Sequence, residues 1–557
     1  MGLDLSRLQE EFLYLNITPN SRDRGATAYR LQLPTFPRGR EFAWAELLLP
    51  RGFPEHAVAK IMLSPDAVLR IPHVEETGSL CIEGDPGPGR GNSAEERIRL
   101  ILLAYKEKFL EPWMAGMLDG DFQEEPLNYW LIKVERARSL RDPVRFVWTV
   151  DECPTQPTVR EGLLLLPSRV VIAASDDRPI TNRIIHSLGD NATQRIRVLI
   201  ADIPIAYTFT PSTWPRNASD LDMLLNGRLR KAQREQFRRP LRNKGREVHR
   251  IVLLRNTTCG FAYLLPGGPL TVMDSGARKR AYPSLSTTLP LQVTRIDPSW
   301  TVGRDQHAEV THRQEQHILV IGAGALGSHV VDHLAKAGVG FITLVDADIL
   351  EAANLGRHLL GAESISKTKA EAVAMRVNLG YPATVVTPQK ISAERWLQEN
   401  SLANVDMILD LTGEPNVRWH VDCARRQHSC PLLIGWMEPY VAAAHVCSLP
   451  SGMPWMQGTT DLMGKLEAVT WPPEVIRQEP SCNSQFQSYT AAAAAHAVAL
   501  VAENALKLID GAAPTPRVIS WVRGQRFLDK HWLGLKFREW AQTNLPHDGM
   551  LLERPFP

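Results

Sequence analysis

The stretch HILVIGAGALGSHVVDHLAKAGVGFITLVDADILEAANLGRHLLGAESISKTK, residues 317–369, decides the fold of the C-terminal half of the chain. Its apolar run Ile318 to Ile321 breaks at Gly322, Gly324 and Gly327, after which a helical pattern passes through Val330, Val331, Leu334 and Ala335. This reads as strand, tight turn and helix. Having no side chains, Gly322 and Gly324 let backbone approach a phosphate, and Gly327 permits close packing of helix on strand. The helix N-terminus offers unpaired N–H groups to the anion. A second strand, Phe341 to Val345, delivers Asp346 and Asp348 to where a ribose would sit.

A glycine turn of this kind is a weak signal by itself, and its commonest reading is a nicotinamide-dependent oxidoreductase. The residues that follow shift the reading. Asn354 and Arg357 come soon after the acidic pair, and Lys369 opens a helix (KAEAVAMRV), so polar and cationic groups gather around a phosphate chain. Hydride transfer does not need them. Stabilising charge on a transferring phosphoryl or adenylyl group does, because fixed cations in a dry site act far more strongly than in water.

In this order of motifs (G-x-G-x-x-G, D-x-D, N-L-x-R, K-A) the chain resembles the adenylation domain of the ubiquitin-activating and ThiF/MoeB superfamily, over roughly residues 304–511. The resemblance implies ATP and Mg2+. It places an acid, Asp346 or Asp348, on the ribose, puts Arg357 and Lys369 on the phosphates, and adds Asn354 and Asp410 to the nucleotide site. Asp410 ends a later strand-like segment, VDMILDLTGE, and is the expected metal ligand. The family's usual second acid is Gly413 here, which leaves Asp410 or Glu414 for the metal.

An activator that forms thioesters also needs a nucleophilic thiol. Cys423 and Cys447 lie in helix-like and strand-like segments, where buried small-hydrophobe roles are expected. Cys482 instead follows a proline-containing polar segment and precedes the helical run starting at Ala491, and a helix dipole favours a nearby thiolate. It is the candidate activating cysteine, with a structural thiol as the alternative. No C-x-x-C pair exists in the chain, which argues against a zinc site.

The N-terminal end alternates in strand fashion between Arg24 and Leu49, then carries Phe53-Pro54, an isolated cysteine in IPHVEETGSLCIEGD, and a helical segment from Ala94 to Phe109. This resembles the fold of ubiquitin-conjugating enzymes, whose F-P element and H…G-x-L-C loop match Phe53-Pro54 and His73…Gly78-Ser79-Leu80-Cys81. Cys81 would be the carrier thiol. The H-P-N tripeptide is absent, with Pro72-His73-Val74 nearby, so another donor must steady the oxyanion. Glu83 and Asp85 are candidates for guiding an amine, or plain solvated loop acids. His73 is such a candidate or a structural pin.

Together the two halves resemble bacterial fusions found in CBASS antiphage operons, with the conjugating domain first and the activating domain last. The resemblance implies activation of a protein's flexible C-terminal tail as an acyl-adenylate, its capture on Cys482, transfer to Cys81 and conjugation to an amine. The expected client is a cGAS-like nucleotidyltransferase (CD-NTase), or alternatively a ubiquitin-like modifier. Members of the superfamily commonly pair, so a homodimer is expected, with Arg304 as the candidate contact in the partner's nucleotide site or as half of a helix-capping Arg–Asp pair. A sulfur-carrier adenylyltransferase would explain the C-terminal half alone, and a catalytically silent scaffold would explain neither cysteine.

Length and composition, 557 residues and 44% hydrophobic, suggest three globular domains: 1–121 ubiquitin-conjugating-like, 122–300 an α/β linker, and 301–557 a Rossmann-like adenylation domain with its tail, an α/β and α+β assembly. A net charge of +2 gives no bulk preference for nucleic acid or acidic membrane. The basic run from Arg228 to Arg250 reads as a solvated helix and loop, with an acidic partner or nucleic acid as the alternative. Seven unpatterned cysteines and no signal peptide point to a reducing cytoplasm. The apolar run from Ala491 is interrupted by His496 and Glu503 and is expected to be a buried helix too short for a bilayer.

Overall fold

The computed structural model describes residues 6–12, 15–19, 26–140, 142–174, 179–239, 242–243, 246–265, 288–304, 306–478, 485–486, 489–530, 534–542 and 550–556. The chain divides into two compact units, Met1–Asp176 with Asn191–Thr294, and Asp177–Asp190 with Arg295–Pro557.

The first unit begins with an antiparallel sheet whose strands Leu15–Pro19, Thr27–Leu31, Ala45–Leu49 and Lys60–Leu63 lie side by side in chain order. Helix Ala94–Ala104 follows, capped by the Ser93 hydroxyl, which accepts the Glu96 N–H at 3.1 Å. The middle segment, where strand-like runs alternate with helical ones, is a closed barrel in the order 250–255, 260–265, 289–295, 146–149, 170–172, 158–166 and 194–204. Alternation located the strands but carried no sign of closure. Strand Arg250–Arg255 is buried along its whole length because both of its faces are covered. Ile251 and Leu253 point into the barrel cluster, whereas Val252 and Leu254 join a second cluster that runs through Trp130 of helix Pro126–Ala137 to Leu47 and Ile61 of the N-terminal sheet. Much of the basic run is tied down within this unit. Arg234 donates to the Asn226 carbonyl at 2.7 Å, Arg238 pairs with Asp222, and the buried Arg250 donates to the Phe237 carbonyl at 2.8 Å.

The second unit is built on eight strands: β1 (His317–Ile321), β2 (Phe341–Val345), β3 (Val385–Gln389), β4 (Met407–Asp410), β5 (Leu432–Met437), β6 (Ala443–Leu449), β7 (Arg517–Val522) and β8 (Met550–Pro555), in the order β3-β2-β1-β4-β5-β6-β7-β8. Strands β1 to β5 are parallel and β6 to β8 are added antiparallel. The connecting helices include α1 (Gly327–Lys336), α2 (Lys369–Gly380), α3 (Ala393–Glu399), α4 (Pro415–Gln427) and α5 (Ala491–Ile509). The first strand, glycine turn, second strand and α2 stand where the sequence pattern puts them.

Helix α5 corrects one expectation. Its 19 residues, with mean hydropathy 1.4, make it long and apolar enough to cross a membrane by length and composition, so shortness is not what sets it apart. Its Ala497, Val498, Val501, Ala505 and Ile509 lie in the same core cluster as Leu433 of β5 and Val446 of β6. That burial accounts for its apolar face.

Candidate active site

The strand order reverses between β1 and β4, and open α/β sheets take ligands beyond the carboxyl ends of the strands at such a reversal. Gly322 leaves β1 at φ 96°, and a Cβ on Gly327 would lie 1.9 Å from the Gly322 carbonyl oxygen, so neither position admits a side chain without rearrangement. Gly324 differs. A Cβ there would meet nothing within 4 Å, so the turn is open above it.

Asp346 leaves β2 and braces this turn: one carboxylate oxygen accepts the Ala323 N–H at 2.6 Å and the other the Asp348 N–H at 2.8 Å. Burial pushes its carboxyl above the usual range, against the pull of those donors and of Lys369. Asp348 is the solvent-facing acid, its side chain 71% exposed. Lys369 opens α2 and donates its Nζ to Asp348 Oδ2 at 2.8 Å, while its N–H bonds the Asp348 carbonyl at 2.8 Å. Asn354 folds the next turn. Its Oδ1 accepts the Glu351 N–H at 3.0 Å and its carbonyl accepts the Arg357 and His358 N–H groups, each at 3.0 Å. Arg357 then lies over the ring of Tyr489, with its Cζ 5.5 Å from the centroid.

His358 escaped the sequence reading. It is buried, its Nε2 lies 2.7 Å from the Ala323 carbonyl, and its Nδ1 accepts the Leu360 N–H at 3.1 Å. Burial lowers its pKa, and a neutral ring protonated at Nε2 satisfies both bonds. Asp346 and His358 thus hold the two polar groups of Ala323 at the centre of the turn. The only sequence signal for His358 is its place next to Arg357.

Asp410 ends β4 opposite Ile321 of β1 and is fully buried. Its Oδ1 accepts the Thr412 N–H at 3.0 Å and hydroxyl at 2.7 Å, whereas its Oδ2 has no partner among the described residues. Burial raises its carboxyl above the usual range. Gly413 stands at φ 75°, a conformation that would strain an acid at that position. Glu414 is exposed at the start of α4. Among the described residues no group of three or more His, Cys, Asp or Glu could hold a metal. A cation here would rest on the unpartnered Asp410 oxygen together with ligand oxygens, which is how magnesium is usually held.

Cys482 lies outside the described residues. Of the other thiols in this half, Cys430 and Cys447 are buried and Cys423 is half-buried, and burial drives the first two above the ordinary thiol value. Arg304 sits in a turn at φ 48°, its N–H bonded to the Trp300 carbonyl at 3.0 Å; Asp305, its expected pairing partner, is outside the described residues.

Cys81, in the first unit, is exposed. Its loop is clipped to strand Lys60–Leu63 by the Leu63 N–H to the Gly78 carbonyl and the Leu80 N–H to the Ile61 carbonyl, each at 2.8 Å. Gly78 is at φ 85°, and a Cβ there would lie 2.6 Å from the Leu63 carbonyl oxygen. The Cys81 N–H donates to the His73 carbonyl at 2.7 Å. His73 is held in turn by the Tyr129 hydroxyl on its N–H, at 2.9 Å, and by Asp121 on its Nε2, at 2.9 Å. Those contacts fit the structural-pin reading. Asp85 is neither a solvated loop acid nor free to guide an amine, because it accepts Arg97 Nε at 2.6 Å and Nη2 at 2.8 Å with its side chain buried. Glu83 is exposed.

Residues 306–525 match the ThiF family. Among curated relatives, the ATP-dependent ubiquitin transferase-like protein Cap2 of Pseudomonas aeruginosa is 26% identical over 352 residues, 60% of this chain and 63% of that protein. The adenylyltransferase and sulfurtransferase UBA4 of Yarrowia lipolytica is 35% identical over 109 residues, 20% of this chain and 28% of that one. The chain therefore spans less than two thirds of the length of either relative. A crystal structure of Escherichia coli MccB with succinimide covers 38% of this chain and 62% of its own at 20% identity, with a TM-score of 0.29.

Proposed function

We infer that the protein activates the C-terminal carboxylate of a client protein with ATP and passes the acyl group through two thiols to an amine. The observation that carries this reading is the convergence at the β1/β4 reversal of an open glycine turn, a solvent-facing acid, two cations and a buried carboxylate oxygen without a partner among the described residues. Similarity to Cap2, whose name describes an ATP-dependent ubiquitin transferase-like protein, supports it. A carboxylate oxygen of the client attacks the α-phosphorus of ATP and pyrophosphate leaves. The Cys482 thiolate attacks the acyl carbon of the adenylate and AMP leaves. The Cys81 thiolate then displaces Cys482, and an amine displaces Cys81 and loses a proton.

Asp348 would bind the ribose while Asp346 keeps the turn in shape. Arg357 and Lys369 would meet the phosphates, and Lys369 would exchange Asp348 for them. Magnesium, held by Asp410 with Glu414 as the alternative, would neutralise phosphate charge. The client proposed is a CD-NTase in antiphage defence, or a ubiquitin-like modifier. A sulfur-carrier adenylyltransferase is the second reading, favoured by the UBA4 match. A homodimer, with Arg304 reaching the partner's nucleotide, belongs to the same proposal, and light scattering reads the stoichiometry.

ATP–pyrophosphate exchange in the presence of the client tests the first step. Removing Arg357 or Lys369 leaves developing charge without a fixed cation, which should cost on the order of 2–4 kcal/mol, or about 10²–10³ in rate. Exchange by Arg357→Ala at the wild-type rate would contradict the assignment.

A further inference from the structure

The two cations beside the glycine turn are held in different ways. Lys369 is neutralised by Asp348 at 2.8 Å. Arg357 has no carboxylate partner among the described residues, and its guanidinium lies against the face of Tyr489. We propose that Tyr489 is a positioning residue for Arg357, an aromatic platform that aims the guanidinium at the phosphate side of the crevice without cancelling its charge. The proposal rests on the reading of Arg357 as a phosphate contact.

Three observations support it. Arg357 lies in an irregular turn between Asn354 and the buried Leu360, so its own backbone element does little to fix so long a side chain. Tyr489, by contrast, is anchored. It packs on the cluster that holds β1, β2 and α5, and it immediately precedes Thr490, whose hydroxyl accepts the Ala493 N–H at 3.1 Å and caps α5. Finally, burial raises the Tyr489 phenol above its usual value even beside Arg357, so the ring stays uncharged at neutral pH. A carboxylate in this place would orient the guanidinium equally well but would offset the field that a phosphate must feel. An aromatic face orients through its quadrupole and leaves the net charge intact.

The test is a double-mutant cycle in the full chain, with ATP and magnesium as the probe for binding and the client added for pyrophosphate exchange. Tyr489→Leu, Tyr489→Phe, Arg357→Ala and the Arg357→Ala/Tyr489→Leu pair are compared by calorimetric ATP affinity and by KM and kcat for pyrophosphate exchange. Tyr489→Leu should weaken ATP binding about 10-fold, and Tyr489→Phe, which keeps the face, should stay within about 3-fold of wild type. In the Arg357→Ala background Tyr489→Leu should add nothing, since the residue acts through the arginine. Equal losses in both backgrounds, or a Phe variant as weak as Leu, would overturn the proposal while leaving the functional reading intact. If the Leu variant does not fold, Tyr489→Trp takes its place. Its stronger face should keep or tighten ATP binding in the Arg357 background only, and weakened binding would count against the platform. A wild-type protein that binds no ATP would overturn both this inference and the reading beneath it.

Discussion

Cys81 is exposed, yet its thiol is pushed above the ordinary value, first by partial burial and then by Glu75, Glu125 and Glu83. A raised thiol pKa means less thiolate at neutral pH, so reactivity should climb through a window lying above the usual thiol range. The rate of iodoacetamide labelling of Cys81, followed against pH by mass spectrometry, should show its inflection above that of a free cysteine. Glu75→Gln should move the inflection down, and an inflection at or below the free-thiol value would contradict the electrostatics. The loop placement of Cys81 was legible in the sequence; that Gly78 is required where this loop crosses Leu63 was not. The role of Asp85 was not legible either, because its partner Arg97 comes from a helix twelve residues on and nothing in the spacing says that the two are buried together. Tyr489 was illegible for the same reason, being brought to Arg357 only by the packing of α5.

At the scale of elements the glycine turn makes a sharp prediction, because its glycines have different surroundings. Gly324→Ala should fold normally, since its Cβ enters open space, but should weaken ATP binding by filling the room a phosphate needs. Gly327→Ala, with its Cβ driven to 1.9 Å from a backbone oxygen, should force α1 off β1 and lower the melting temperature by several degrees, equivalent to more than about 1 kcal/mol. Equal melting of the two variants would contradict this division of labour. These elements were readable because strand, turn, strand and α2 each carry a local pattern of period or punctuation. The barrel of the first unit was not, since closure depends on pairings such as 250–255 with 194–204, which no local pattern encodes. Gly413 is intermediate: the departure from the family acid was visible, but its left-handed backbone was not.

At the scale of the molecule, one charged network has a consequence for pH. Glu438 joins β5 to β6 through His445 and also accepts the Ala468 N–H at 2.5 Å, and the adjoining Glu467 pairs with Arg538 at 2.6 Å. Burial and then Glu438 raise Glu467 from 4.5 to about 7, so the folded state keeps a proton that the unfolded chain has lost. Its contribution to stability is therefore present below about pH 4.5 and is lost as pH rises through about 7. Glu467→Gln should flatten the melting temperature between those values. An unchanged slope would show that the carboxyl titrates normally.

The relay is the central claim, and only one of its two cysteines lies among the described residues. Intact-mass analysis after incubation with ATP, magnesium and a CD-NTase bearing a free C-terminal tail tests it most directly, using wild type, Cys81→Ala and Cys482→Ala. The account predicts a thiol-labile adduct on Cys482 in the Cys81→Ala protein, adducts on either cysteine in wild type, and none in Cys482→Ala. A thiol-labile client adduct on Cys81 in the Cys482→Ala protein would contradict it.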